Sequence, residues 1–359
     1  MPSQSRRPTV HTGSLTHANG SAVVRIGDTA AVCGVRAEIL LAKDVAGYQP
    51  PRRSVQESTN GNEGDKHATK RRKLREDSAE MASLNLLVPN LELATGCSPA
   101  HMPGGPPSTL AQTLSQRLLT LMHTSRLVDL DELRIWYHPP KINPPDKMEE
   151  DDVDEEDTKS SVKAFWTLYI DILFISLDGN PFDAAWGAML AAVQDVRLPK
   201  AWWDADKDMV LCDDDASMSK PLTLSRVPVA ASFAVFAVGK AGAKWILADP
   251  DAFEESICEE TITIVVQKQI QNLVWDVVAI EKTGGFGVGV KDIRQLVEMA
   301  QERWKDWSEV LSNRGGAPKK QSGSNEEMSE KARIKAETEE RVRIKMEKLG
   351  MPPLKSIKT

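Results

Sequence analysis

The feature that most constrains the fold is a long alternating run that leads directly into a helix start. In residues 162–177, VKAFWTLYIDILFISL, every second residue is apolar, which places one apolar face along a strand. The other face begins polar and turns apolar at Leu173 and Ile175, so we expect the second half of the strand to lie in the interior. Asn180 and Pro181 then occupy the N-cap and first positions of an alanine-rich helix. This order predicts a sheet with a helix packed closely on it.

The charge and cysteine content exclude several classes of protein. The 359 residues carry a formal net charge of −7, and the run MEEDDVDEED at 148–157 contributes eight acids and no base. Without it the charge is close to neutral, which does not fit a strongly basic nucleic-acid binder but leaves room for a local basic groove. The four cysteines are scattered, so we expect no zinc site, no disulfide framework and a cytosolic or nuclear location. No apolar run approaches the roughly 20 residues of a membrane span.

Short local signals predict the remaining elements. Two β-rich runs in residues 21–40 flank Gly27-Asp28, which predicts a hairpin. Residues 108–125 place leucines on one helical stripe after Ser108, a plausible N-cap. The further predicted strands are 84–93, 131–138, 231–238, 244–248, 260–267 and 272–280, and a last helix follows a glycine-rich turn. Runs of strands with interspersed helices indicate the α+β class, a mixed β-sheet with packed helices.

Three segments depart from this pattern in composition. Residues 46–80 are rich in Pro, Gly, Asn and charge, which predicts a mostly disordered basic loop. Residues 141–161 contain the acid run and are predicted to be a solvated acidic loop, because dense like charges repel each other. Residues 313–359 are highly charged and should form an exposed helix or a disordered tail. The folded domain is therefore expected to span residues 9–312.

The helix start at residues 178–184 raises the question of phosphate binding. A helix N-terminus binds phosphate through free backbone N–H groups, usually with a nearby Arg or Lys. Here Pro181 removes one donor, Phe182 offers no charge, and Asp183 places an anion where another anion would have to bind. The preferred interpretation is a well-capped helix in which Asp183 interacts favourably with the helix dipole.

Other candidate sites have simple structural explanations. The six carboxylates in ADPDAFEESICEE (248–260) could bind Mg²⁺ or act as acid and base, although a solvated turn is the preferred interpretation. GGFGVG (284–289) lacks the G-K-[ST] ending of a phosphate loop and is interpreted as a turn. Basic residues of the 46–80 loop could contact RNA phosphates or serve in nuclear import, with a solvated charge patch as an equal alternative. These residues are Arg52, Arg53, Lys70, Arg71, Arg72 and Lys73.

Several segments together resemble one family. They are GSLTHANGSAVVRIGDTAAVCGVRAEI, VPNLEL, GCSP, GPPSTLAQTLSQRLL, LYIDILFISLDGNPFDAAWGAMLAAVQDVRLP, PVAASFAVFAVG, ILADPDAFEESICEETITIVV and GGFGVGVKDI. In this order they are similar to the RNase PH-like subunits of the eukaryotic RNA exosome ring, over most of residues 9–312. The resemblance implies the RNase PH-like fold and a role in 3′–5′ RNA processing and degradation.

The resemblance also implies where an active relative would bind phosphate. Active RNase PH enzymes have a Gly-Gly-Thr/Ser-Arg-Thr-Ala-Ala run after the central strand. At the matching positions this chain has Pro181 in place of the hydroxyl, Phe182 in place of the arginine, and then Asp183. For a pair of aspartates six residues apart, it has Glu255 and Thr261. The resemblance therefore implies a degenerate, non-catalytic site, and an active phosphate-dependent 3′–5′ exoribonuclease is the alternative.

The resemblance further implies an assembly. The expected partners are other RNase PH-like ring subunits, S1/KH cap proteins, a processive 3′–5′ exonuclease and RNA in the channel, with no cofactor and no membrane. The expected location is the nucleus and nucleolus, and also the cytoplasm. A free RNA-binding module that uses Arg52 and Arg53 is a further alternative. The family's N-terminal helix and Arg-Pro-Asp-Gly-Arg stretch do not occur here, so we expect a shortened sequence or a missing ring contact.

Overall fold

A computed structural model describes residues 4–48, 63–99, 101, 106–139, 160–224, 226–238, 243–269, 274–285 and 287–312. Two larger sheets and six helices make up this part of the chain. The predicted acidic loop lies outside the described residues except for Ser160 and Ser161, and residues 313–359 lie outside them entirely. None of the described helices is long and apolar enough to cross a membrane.

The first sheet contains six strands in the order β1-β2-β3-β6-β4, with β5 also paired to β6. The strands are β1 (Pro8–Thr12), β2 (Gly20–Ile26), β3 (Thr29–Leu41), β4 (Leu87–Leu93), β5 (Arg134–Tyr137) and β6 (Ser161–Ser176). All pairs are antiparallel except the parallel pair of β4 with β6. The predicted hairpin is confirmed, since β2 and β3 pair from Gly20 to Ile26 around the turn at Gly27 and Asp28.

The second sheet contains four antiparallel strands in the order β12-β11-β13-β14. Two short pairs of strands lie between the large sheets in sequence, β7 with β10 and β8 with β9. The ranges are β7 (Arg197–Leu198), β8 (Ala201–Asp204), β9 (Met209–Cys212), β10 (Lys220–Pro221), β11 (Val229–Val238), β12 (Ala243–Ala248), β13 (Glu260–Lys268) and β14 (Trp275–Gly284).

The central helix packs against both large sheets. The helices are α1 (Glu63–Ser83), α2 (Thr109–Ser125), α3 (Leu130–Leu133), α4 (Pro181–Asp195), α5 (Ala252–Ile257) and α6 (Val290–Ser312). Helix α4 contacts β2 and β3 on one side and β11 on the other. Its small residues permit this close packing, because a Cβ at Gly187 would lie 2.0 Å from the ring of Trp307 in α6. The predicted α+β arrangement of mixed sheet and packed helices is confirmed.

The predicted loop over residues 46–80 is wrong for residues 63–80, where the structure has helix α1. The C-terminal end of this helix packs on the core, where Met81 is buried and Glu80 accepts a hydrogen bond from Arg134. The sequence of this segment has no apolar periodicity, so the pattern did not predict a helix. The remaining residues of that segment, 49–62, lie outside the described chain.

Two further expectations need correction. Residues 131–138 contain the helical turn α3 before the short strand β5, because the side chain of Asp129 caps the N–H of Asp131. The second half of β6 does not enter the interior on both faces, since Leu173 and Ile175 are 39% and 56% exposed. Alternation reveals that both faces are apolar there, but it does not reveal which face another element covers.

Candidate functional site

The chain turns sharply between β6 and α4. Gly179 has φ +70° and Asn180 has φ 47°, so two consecutive residues are left-handed. A Cβ at Gly179 would lie 2.4 Å from the carbonyl carbon of Asp251, which only glycine avoids. The hydroxyl of Thr29 secures the turn by donating to the Gly179 carbonyl at 2.8 Å and accepting from the Asp178 N–H at 2.9 Å. This turn brings the start of α4 against the start of α5.

Asn180 occupies the predicted N-cap position but does not act as a side-chain cap. Its Nδ2 donates instead to Asp183 Oδ2 at 2.9 Å and to Asp249 Oδ1 at 2.6 Å. Pro181 is the first helical residue, as predicted, and supplies no backbone N–H. Asn180 therefore links two buried carboxylates through its side-chain amide.

The backbone donor nearest the helix start is already bound to a carboxylate of the chain itself. Glu255 Oε1 accepts the N–H of Asn180 at 2.8 Å. Burial raises the pKa of Glu255, while the hydrogen bond from Asn180 opposes that rise. An internal anion thus holds the position in which a helix N-terminus could receive an external one.

Asp183 is also fully engaged inside the protein. It is buried, and its carboxylate accepts the Ser232 hydroxyl at 2.8 Å and the Ser232 N–H at 3.0 Å. Burial raises the pKa of Asp183, although the hydrogen bonds from Asn180 and Ser232 favour the ionised form. The favourable placement at the helix start is thus reinforced by β11, a contact that the sequence did not reveal.

Phe182 is buried beneath a guanidinium group. The Arg117 guanidinium from α2 lies 3.9 Å from the centre of the Phe182 ring. Arg117 is held in place by Glu281 at 2.6 Å and by the Thr263 hydroxyl at 3.2 Å. The arginine closest to Phe182 is therefore committed to a stacking contact and to an ion pair.

Asp249 forms ion pairs with two arginines near the turn. Its carboxylate accepts from the backbone N–H, Nε and Nη2 of Arg6 at 2.8, 3.0 and 3.0 Å. The buried Arg303 lies 3.9 Å away and donates to the Arg6 carbonyl. Burial alone would raise the pKa of Asp249, but the bonds from Arg6 and Asn180 and the charge of Arg303 lower it.

The chemistry of the arrangement follows from these contacts. Asp183, Glu255 and Asp249 converge on the start of α4, where Arg6 and Arg303 face Asp249 and Arg117 stacks on Phe182. An inorganic phosphate would meet carboxylates where it needs donors, and Pro181 removes one donor outright. Within the described residues, no group of three or more His, Cys, Asp or Glu side chains is arranged to hold a metal ion.

The other predicted site residues take part in strand pairing, helix capping and an ion pair. Thr261 is half-buried in β13, paired in register with Ala234 and Thr283. The acidic stretch 248–260 is not simply a solvated turn, because it contains α5 with a capping box formed by Asp251 and Glu254. Asp249 and Glu260 of that stretch are buried, and the Glu260 carboxylate lies 3.2 Å from the ammonium of Lys282.

The candidate basic residues divide into described and undescribed groups. Arg72 pairs with Glu76 at 2.8 Å, and Lys73 pairs with Asp131 at 3.1 Å, both at exposed positions of α1. Lys70 and Arg71 belong to the same helix, whereas Arg52 and Arg53 lie outside the described residues. Their roles in RNA contact or nuclear import stay predictions.

Sequence reasoning missed Arg6, Arg117, Ser232 and Arg303, which complete the site. Each comes from a different part of the chain, and the Arg6–Asp249 contact spans 243 positions. No local pattern marks such residues. A surplus of carboxylates at residues 248–260 was the one available signal that cations from elsewhere would be needed.

The chain is similar to proteins of one known family. The RNase PH family model, described as "3′ exoribonuclease family, domain 1", matches residues 4–199. The exosome complex component rrp43 of Schizosaccharomyces pombe is 30% identical over 302 residues, which cover 84% of this chain and 85% of that protein. The exosome complex component Rrp42 of Methanothermobacter thermautotrophicus is 26% identical over 302 residues, which cover 84% of this chain and 84% of that protein.

Solved structures share the fold. An Archaeoglobus fulgidus exosome with RNA bound to the active site aligns with a TM-score of 0.54 at 21% identity, over 86% of this chain and 89% of the other. An archaeal exosome core aligns with a TM-score of 0.51 at 20% identity, over 86% and 88%. The RNase PH-like fold implied by the sequence is thereby confirmed.

Proposed function

The chain belongs to the RNase PH 3′ exoribonuclease family, and from this membership we propose that it is a ring subunit of an exosome core that does not itself cleave RNA. In this role it supports 3′–5′ RNA processing and degradation, including rRNA maturation and RNA surveillance, by helping to form the channel through which RNA is threaded. The relatives named above are exosome components, and they match this chain over most of their own length.

One observation carries the non-catalytic part of the proposal. Phosphorolysis requires a bound inorganic phosphate, and the resemblance to active RNase PH enzymes implies that its donors lie at the start of α4. In this chain the Asn180 N–H is bound by Glu255, the next residue is Pro181, and Asp183 lies alongside. Binding phosphate there would require displacing the Glu255 carboxylate and placing a phosphate beside the buried Asp183, so like charges would face each other out of contact with water.

The alternative is an active phosphate-dependent exoribonuclease. A carboxylate is retained at Glu255, which is the observation in its favour, but that carboxylate accepts a backbone N–H and faces Asp183 and Asp249. Its engagement with the helix start supports an inactive site over a catalytic one.

The test is an assay of phosphorolysis with product identification. The purified chain is incubated with single-stranded RNA, Mg²⁺ and inorganic phosphate, alone and together with its ring neighbours. We expect no nucleoside diphosphate above background from this chain, because phosphorolysis is the reaction that yields diphosphates. Hydrolysis by another subunit yields monophosphates, so the two products separate the activities. Phosphate-dependent release of diphosphates by the isolated chain would contradict the proposal.

The partners follow from the same proposal. They are other RNase PH-like ring subunits, S1/KH cap proteins, a processive 3′–5′ exonuclease and RNA in the channel, in the nucleus, the nucleolus and the cytoplasm. Permanent ring interfaces bury on the order of 2,000 Å² or more, so we expect the isolated chain to be less stable than the same chain within the ring. An isolated chain that resists urea as well as the assembled ring does would contradict that expectation. Crosslinking mass spectrometry of the native assembly would identify the two neighbours, and fluorescent tagging would test the location.

A further inference from the structure

A groove lies between the edge strand β12 and the helix α5, next to the site described above. It encloses about 540 Å³, and its apolar wall is formed by Phe236, Trp245 and Leu247. Phe236 and Trp245 are directly opposite each other in the pairing of β11 with β12, so their side chains share one face of the sheet. The wall therefore presents an aromatic surface on one face of the second sheet, beside its edge strand β12.

The exposure of this surface is unusual. Trp245 is 62% exposed, although tryptophan is a residue that usually buries most of its area. On the outward side of α5, Phe253 and Ile257 are 70% and 55% exposed and are four residues apart, which places them on one helical face. Large aromatic groups exposed beside a cavity mark interaction surfaces, because aromatic anchors supply much of the binding energy at protein interfaces.

The charge around the groove selects the kind of partner. Asp249, Asp251 and Glu254 contribute the carboxylates of the lining, and Arg6 contributes its guanidinium. Arg6 is bound to Asp249, and Asp251 and Glu254 accept each other's backbone N–H groups, so the described lining has three carboxylates against one guanidinium and an excess of negative charge. A segment with a basic side chain beside its apolar anchor would neutralise that charge, whereas an acidic segment would be repelled.

We propose that this groove binds a segment of a protein partner in which an apolar side chain is flanked by Lys or Arg. The apolar side chain packs on Trp245 and Phe236, and the flanking cations approach Asp251 and Glu254. β12 is an edge strand of the described sheet, the kind of position to which an extended segment adds through backbone hydrogen bonds. This inference concerns a surface outside the start of α4 and does not depend on whether the chain is catalytically active.

The experiment measures peptide binding by fluorescence polarisation with the full-length chain. The probe is the labelled peptide Arg-Arg-Val-Phe-Val-Thr-Arg-Arg, compared with Glu-Glu-Val-Phe-Val-Thr-Glu-Glu. We expect the basic peptide to bind at least about tenfold more tightly, with affinity that weakens as salt is raised. Equal binding of the two peptides, or binding of neither, would overturn the proposal.

Variants locate the binding. Trp245→Ser should weaken the basic peptide by about tenfold or more, whereas Trp202→Ser, at a 42% exposed tryptophan on β8, should leave it unchanged. Glu254→Gln should weaken it by about two- to fivefold, because glutamine keeps the capping box of α5 but removes the charge. Glu298→Gln on the exposed side of α6 is the matched charge control. A Trp245→Ser variant that binds as well as the wild type would overturn the proposal.

Discussion

The molecule contains two buried clusters of charged side chains, called here the α4 cluster and the α1 cluster, whose central residues have opposite charges. At the start of α4 a buried carboxylate, Asp249, gathers Arg6, Arg303 and the amide of Asn180. Beside α1 a buried guanidinium, Arg134, gathers Asp77, Glu80 and Asp131 at 3.0, 2.6 and 2.7 Å. The first cluster has its anion in the centre and the second has its cation in the centre.

The difference lies in what surrounds the central charge. In the α4 cluster, Asp249 and Arg303 are 2% and 3% exposed, so both members depend on each other and on Arg6. In the α1 cluster, only Arg134 is fully withdrawn from water, and its carboxylate partners keep 14–36% of their side-chain surface exposed. Removal of Asp249 leaves the buried guanidinium of Arg303 without its ion-pair partner. Removal of Arg134 leaves carboxylates that are partly exposed and can be solvated by water.

The largest effect is expected from Asp249→Ala. The change leaves Arg303 buried without its nearest carboxylate and removes acceptors from Arg6 and Asn180. We expect a loss of about 3–5 kcal/mol in the free energy of unfolding, measured by urea denaturation of the full chain. Asp28→Ala, at an 81% exposed carboxylate paired with Arg25, is the control and should cost less than about 1 kcal/mol. Equal losses would show that the α4 cluster carries no special stability.

Arg134→Met should have a smaller effect. Methionine fills the space of the arginine stem, but Asp77, Glu80 and Asp131 then lose their common cation. We expect a loss of about 2 kcal/mol, less than for a fully buried pair, because these carboxylates can turn toward water. Limited proteolysis should also show earlier cleavage within α1, since this cluster anchors its C-terminal end. A loss as large as that of Asp249→Ala would remove the distinction between the two clusters.

The two clusters also show what the sequence could and could not predict. Local signals were sufficient for the hairpin at Gly27-Asp28 and for α2, where Ser108 caps the N–H of Ala111 at 3.2 Å. The sequence also placed Pro181 correctly at the first position of α4, where it supplies no N–H, whereas the loss of phosphate binding stays a prediction. Neither cluster was predicted, because each depends on contacts between residues far apart in sequence: 243 positions for Arg6 and Asp249, and 54 for Glu80 and Arg134.

The same reasoning explains two of the three errors in the fold. Helix α1 is fixed by Arg134 and Met81 at one end, so most of its length has the composition of a solvated segment. Leu173 and Ile175 have the composition of an interior strand, yet they are exposed on the described chain. The residue types of a segment indicate whether it can be buried. Whether it is buried depends on which other part of the chain or which partner packs against it.

Tyr48→Phe tests the rim of the α1 cluster. The Tyr48 hydroxyl donates to Glu80 at 3.0 Å, and its ring packs edge-on against Phe165. Burial raises the pKa of Tyr48, and the nearby Glu80 adds to the rise, so the hydroxyl stays a donor at all ordinary pH values. Phenylalanine keeps the ring contact and removes the donor, which should cost about 1 kcal/mol in urea denaturation. A free energy of unfolding in urea that is unchanged from the wild type would show that water replaces this hydroxyl.

The smallest effect is expected from Glu255→Gln, and its sign depends on pH. The pKa of Glu255 is raised above its ordinary value of 4.5 in the folded chain, so ionisation of this group costs stability as the pH rises through that range. Glutamine can still accept the N–H of Asn180 but does not ionise. The stability of the variant relative to the wild type should therefore increase from pH 4.5 toward neutral pH, as measured by urea denaturation at several pH values. Glu259→Gln, at an exposed position of the same segment, should show no such trend. A relative stability that falls with rising pH would mean that the helix start favours the Glu255 carboxylate more than burial disfavours it, and the α4 cluster would then still attract an anion.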